Sequence, residues 1–209
     1  MKALYHQWNE IYLHQQNGDL TVPKYSEMNL DDFLEVDLRK LPFTDRIYLP
    51  QNQIHNSHIH RQLERRIHVL KGDLNLISPS SSPSPVVYWM SRDQRLHDNW
   101  ALLYAQQKAI ETNSPLCIIF CLTSNFPHAN IRSYGFMLRG LKLLQLDCEN
   151  YFLPFYLLKG SPEEIIPRFC SENSVKMLIT DFSPLAISKQ WKQQISSNVR
   201  TPNDLLFIE

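Results

Sequence analysis

The sequence predicts an α/β domain, a five-stranded parallel sheet with helices on both faces, preceded by an irregular N-terminal arm. Three observations carry this. From residue 86 onward, short apolar runs alternate with stretches of helical period. The runs are apolar throughout rather than at every second position, as in strands covered on both faces. Upstream of residue 84 neither pattern is sustained, and Ser78 to Pro85 reads as a Ser/Pro linker.

The elements follow in order. Val86–Met90 is a short apolar run with β-branched residues, the first strand. Asp98–Thr112 places Trp100, Leu103, Tyr104 and Ile110 at helical spacing. Leu116–Leu122 is a second strand, and Ser133–Leu146 a helix whose face includes Phe136, Leu138, Leu141 and Leu144. Phe155–Leu158 is the third strand. The helix Glu163–Ser171 is opened by Ser161 and Pro162, which suit an N-cap and a first-turn proline. Met177–Thr180, a helix over Pro184–Ser196 and a last strand, Leu205–Ile208, complete the pattern. In the arm, residues 1–16 suit one helix, with Tyr5, Trp8, Ile11 and Tyr12 at helical spacing.

Composition narrows the function. The chain has 209 residues, 43% of them hydrophobic, and 21 basic residues balance 21 acidic ones. A domain that grips nucleic acid by charge is strongly basic, and this one is not. No run of about 18 apolar residues marks a membrane span, and Met1–Leu13 lacks the features of a signal peptide. Cys117, Cys121, Cys148 and Cys170 form no Cys-x-x-Cys pair and read as reduced, buried thiols of a cytoplasmic protein. His55, His58 and His60 have no carboxylate or cysteine at ligand spacing, so a solvated arm is the better reading than a metal site.

In such a sheet, ligands bind beyond the carboxyl ends of the strands. Those ends are Ser91–Arg95, Leu122–Phe126, Lys159–Gly160 and Asp181–Ser183. The first loop, Ser91-Arg92-Asp93-Gln94-Arg95, stands where a dinucleotide fold carries its glycines, and it has none. Its alternating charges suit either a local ion-pair network, with Asp98 or Asn99 capping the next helix, or a polar rim around an aromatic ligand or a domain interface. No Gly-x-Ser-x-Gly nucleophile elbow is present.

Four ordered motifs carry a resemblance. They are Val86-Val87-Tyr88-Trp89-Met90-Ser91-Arg92-Asp93-Gln94-Arg95 with Asp98-Asn99-Trp100-Ala101-Leu102-Leu103-Tyr104-Ala105, then Phe120-Cys121-Leu122-Thr123, Phe136-Met137-Leu138-Arg139-Gly140-Leu141, and Thr180-Asp181-Phe182-Ser183-Pro184-Leu185. Leu158-Lys159-Gly160-Ser161-Pro162 and Trp191 agree as well. Together they resemble class II cyclobutane pyrimidine dimer DNA photolyases, of the photolyase/cryptochrome family, over residues 65–209. The domains expected are thus an arm at 1–64 and a Rossmann-like antenna domain at 65–209.

The resemblance implies light-dependent DNA repair by a deoxyribodipyrimidine photo-lyase, a carbon–carbon lyase. An antenna chromophore passes light energy to FAD, and the cofactors carry the chemistry. Family members continue into an all-helical FAD domain, for which these residues hold no positions. A truncated or split enzyme, inactive alone and unable to bind FAD, is therefore expected. Whether the chain is itself an enzyme stays open. Its partner would be a separately encoded helical domain, and damaged DNA would be met only through it. The alternative is a stand-alone small-molecule or photosensory binding module. No catalytic or metal-binding residue is expected. For a deazaflavin or flavin-type antenna the candidates are Ser91, Asp93, Thr123, Phe126, Asp181, Phe182 and Ser183. Each has a plainer role open to it: core packing for Phe182, helix capping for Asp181 and Ser183.

Overall fold

The chain enters the sheet earlier than its apolar runs predict. In the computed structural model, which describes residues 65–74, 84–124, 126–199 and 205–209, the first strand is Val69–Lys71 (β1). It is followed by β2 (Val86–Met90), α1 (Trp100–Glu111), β3 (Leu116–Leu122), α2 (Ile131–Asn150), β4 (Phe155–Lys159), α3 (Pro162–Glu172), β5 (Met177–Thr180), α4 (Ala186–Asn198) and β6 (Leu206–Ile208). The arm before residue 65, with its expected helix and with His55, His58 and His60, lies outside the described residues, as do residues 78–83 of the linker.

The strand order is β1-β6-β5-β2-β3-β4. All neighbours are parallel except β1, which pairs antiparallel with β6. The expected α/β class holds, but among the described residues the sheet has six strands rather than five. The sequence hides β1 because it is three residues long and half-buried, with no run for a period to register. It is held from outside itself. His68 and Glu209 exchange backbone hydrogen bonds of 2.8 and 2.9 Å, and Lys71 Nζ donates to the carbonyls of Ser196 and Val199 at the end of α4. Gly72, at φ +86°, then turns the chain away; a Cβ there would stand 2.9 Å from the Leu205 carbonyl oxygen.

Helices cover both faces. Leu102, Ala105 and Ala109 of α1 and Leu141, Leu144 and Cys148 of α2 pack with Val86, Tyr88, Met90, Ile118 and Phe120. Ile166, Phe169 and Cys170 of α3 and Ile195 of α4 pack with Val87, Trp89, Cys117, Ile119 and Phe207. β2, β3 and β5 are buried at every residue, which explains their uninterrupted apolar sequence. Burial pushes the Cys148 thiol up to about 12 and the other three thiols higher still.

From β2 the chain winds outward through β3 and β4, then returns to the other side of β2 for β5 and β6. Connections therefore leave the carboxyl ends of β2 and β5 in opposite directions, which opens a crevice there.

Candidate functional site

The crevice is organised by one buried carboxylate. Asp181 follows β5 directly and is only 3% exposed. Its Oδ2 accepts backbone N–H bonds from Ser91 and Arg92 at 2.8 Å and from Asp93 at 3.2 Å. Its Oδ1 accepts a short bond from the Tyr88 hydroxyl. Three successive amides converging on an oxygen form the kind of concavity that binds phosphate in other loop-to-helix turns. Here the protein's own side chain fills it. The loop needs no glycine because no ligand has to approach that backbone.

Asn99 completes the knot. Fully buried, it caps α1 by accepting from the Leu102 amide at 3.0 Å. Its Nδ2 donates to the Tyr88 hydroxyl (2.8 Å) and to the carbonyls of Asp93 and Arg95. Of the two capping candidates, then, Asn99 acts and Asp98 does not. Burial, then the Asp181 charge, raises the Tyr88 hydroxyl well above its ordinary range, so it stays a donor. On the far side, Lys192 donates to the Asp181 carbonyl at 3.3 Å and pairs with Glu209, which also accepts from the Ser183 amide.

Beside this knot lies a cavity of about 530 Å³ over the carboxyl ends of β2 and β3. Its walls are mainly aromatic and apolar: Trp89, Phe120, Phe126, Tyr134, Met137 and Trp191. Ser91, Arg92, Gln94 and Thr123 supply polar groups. Phe126 and Trp191 meet edge to face with centroids 6.0 Å apart. The Tyr134 hydroxyl donates to the Thr123 carbonyl at 2.6 Å and accepts from the Phe126 amide at 3.1 Å, which fixes the loop that carries both residues. A few directed polar groups in an apolar slot suit a flat, largely apolar ligand.

Four of the seven residues singled out from sequence, Ser91, Thr123, Phe126 and Ser183, line this cavity. The other three lie outside its lining. The Asp93 amide belongs to the knot and its carboxylate stands 3.8 Å from Arg95. Asp181 is the centre of the knot and does not cap a helix; the N-cap residue of α4 is Leu185, without a side-chain bond. Phe182 is not core but 63% exposed. Sequence reasoning passed over Tyr88, Lys192 and Glu209, whose roles depend on strands that meet only in the fold. Trp89 and Trp191 stood among the residues that carry the family resemblance, and Tyr134 was visible as an aromatic near a helix start.

Among the described residues no group of His, Cys, Asp and Glu is arranged to hold a metal, and no helix is long and apolar enough to cross a membrane.

A mainly parallel sheet between two helical layers, with an aromatic cavity at its carboxyl edge, defines a doubly wound α/β domain. Residues 86–205 match the family model for DNA photolyase, and the chain belongs to that family. It is 40% identical over 146 residues to a deoxyribodipyrimidine photo-lyase of Potorous tridactylus, covering 70% of this chain and 26% of that one. A deoxyribodipyrimidine photo-lyase of Arabidopsis thaliana is 44% identical over 124 residues, 59% of this chain and 24% of its own. The chain thus spans about a quarter of the length of these relatives. Among solved structures, a bacterial class III photolyase from Agrobacterium tumefaciens is 24% identical with a TM-score of 0.48, covering 60% of this chain and 26% of that one.

Proposed function

We propose that this chain is the antenna-chromophore α/β part of a class II photolyase, a light-dependent enzyme that repairs cyclobutane pyrimidine dimers in DNA. The observation that carries the reading is the aromatic cavity at the carboxyl edge in a member of the DNA photolyase family. Its volume lies in the range of small-molecule sites, roughly 300–1,000 Å³. Its lining suits a flat deazaflavin or flavin-type ring, with Trp191 and Phe126 against the ring and Ser91, Gln94 and Thr123 toward its polar edge. Such a group would supply light absorption, while these residues bind it, orient it and exclude water. Dimer cleavage would need the helical FAD domain, through which the damaged DNA would also be met.

The test is to titrate the chain with an oxidised deazaflavin and follow its fluorescence. Trp191→Ala and Phe126→Ala should each weaken binding by roughly tenfold or more, since a lost aromatic contact exceeds ~1.4 kcal/mol. Phe182→Ala should leave it unchanged. Tight binding that neither wall substitution weakens would place the ligand elsewhere. Light-dependent dimer reversal should appear only when the helical FAD domain is added, and reversal by the pure 209-residue chain would overturn the division of labour.

A further inference from the structure

One end of the cavity is built to receive negative charge. Among the described residues that line it there is no carboxylate, and Arg92 is the one charged side chain. Arg92 has no acidic partner among them. Its guanidinium donates instead to the Phe182 carbonyl at 3.5 Å, which sets it beside Ser183 and the approach to α4.

α4 joins the cavity wall at its first turn, through Leu185 and Ser188. That turn is open. Its N-cap residue, Leu185, makes no side-chain bond, and the Lys189 amide is the first to donate to the Leu185 carbonyl. The amides of Ala186, Ile187 and Ser188 are thus left without an intrahelical acceptor. α1 and α2 are capped by Asn99 and Asn130, and α3 has Glu163 and Glu164 in its first turn; α4 has neither device against its positive end.

A second feature points the same way. Ser183 is 3% exposed and lines the cavity two residues before that cap. Its amide donates to Glu209, while its hydroxyl bonds to nothing among the described residues. A buried hydroxyl is costly to leave unpaired, so a partner from the cavity side is called for. Asp181 does not stand in an anion's way. It lies outside the lining, with its oxygens taken by the amides of Ser91, Arg92 and Asp93 and by the Tyr88 hydroxyl.

We propose that the α4 end of the cavity holds an anionic arm of the ligand, of the phosphate type, with Arg92, the Ser183 hydroxyl and the open amides of α4 as its donors. The inference rests on the ring-binding reading above and adds the charge that the ring must carry.

The test compares riboflavin with its 5′-phosphate on the full chain, by flavin fluorescence. The phosphate form should bind about tenfold more tightly or better, and added salt should narrow the gap. Arg92→Gln and Ser183→Ala should each lower the ratio of the two affinities, which general damage to the cavity would not move. Equal affinities for two bound flavins overturn the inference and leave the ring reading standing. So does a ratio that both substitutions leave unchanged, which would place the phosphate elsewhere. If neither flavin binds, inorganic phosphate decides, read on the amide resonances of Ala186, Ile187 and Ser188. Resonances that shift in the parent and less in Arg92→Gln keep the anion site and reject the flavin ring; resonances that stay still reject both.

Discussion

The two walls of the cavity are built by opposite means. The wall at the ends of β2 and β5 is polar inside: Asp181 holds three backbone amides and a tyrosine hydroxyl, and Asn99 locks the same loop to the start of α1. The wall at the end of β3 and the start of α2 is aromatic, and a single hydroxyl, that of Tyr134, ties its loop. The first wall pays for its rigidity with a charge removed from water, which is tolerable only because every bond is made. The second depends on ring packing and loses little when one bond goes. The difference separates support from contact: the carboxylate shapes the site from behind, while the rings face the space a ligand would fill.

The sharpest way to break this contrast is to empty the carboxylate. Asp181→Ala removes the acceptor of three part-buried amides and of the buried Tyr88 hydroxyl, and should cost about 3 kcal/mol, measured by denaturant unfolding. Asp181→Asn, which keeps an acceptor, should cost visibly less. If the alanine variant unfolds like the parent, water has replaced the side chain and the first wall is not carboxylate-dependent.

On the second wall Tyr134→Phe removes one hydroxyl from a half-buried site and should cost about 1 kcal/mol. Its effect should concentrate in the loop from Thr123 to Asn130, read as faster amide exchange there with little change in the sheet. A cost equal to that of Asp181→Ala would erase the distinction between the walls.

The smallest effect belongs to Phe182, next to Asp181 yet facing solvent. Phe182→Ser should change stability by no more than about 0.5 kcal/mol. A larger loss would show that this ring packs on something in solution.

Much of the architecture was legible. β2, β3 and β5 stand where the apolar runs put them, and the helices differ from expectation by a few residues at their ends. The larger misses have physical causes. α2 runs to Asn150, beyond the expected Leu146, because its last turn continues in helical geometry although its outer side is polar. Ser161 stands at the N-cap of α3 but its hydroxyl bonds Glu163 rather than a backbone amide. The family's motifs were legible too, since each is a run of neighbouring residues, lying partly in β2, β3, α1 and α2 and partly in the loops at the strand ends.

What the sequence by itself determined is local or periodic: the α/β class, the order of elements from β2 onward, the strand ends where a site must lie, and the absence of a glycine-rich phosphate turn. Tertiary structure alone decided what each polar side chain there does. Asp181 and Ser91 are 90 residues apart in the chain, and only the parallel pairing of β2 with β5 brings the carboxylate under the loop amides. Neither residue's type announces that partnership, because a hydrogen bond between distant segments leaves no period and no spacing in the sequence. The same reason hid β1, whose pairing is supplied by β6 at the other end of the domain. Local preference selects the elements, but the sheet's topology decides which buried group meets which, and so turned a residue expected at a ligand's rim into the support behind it.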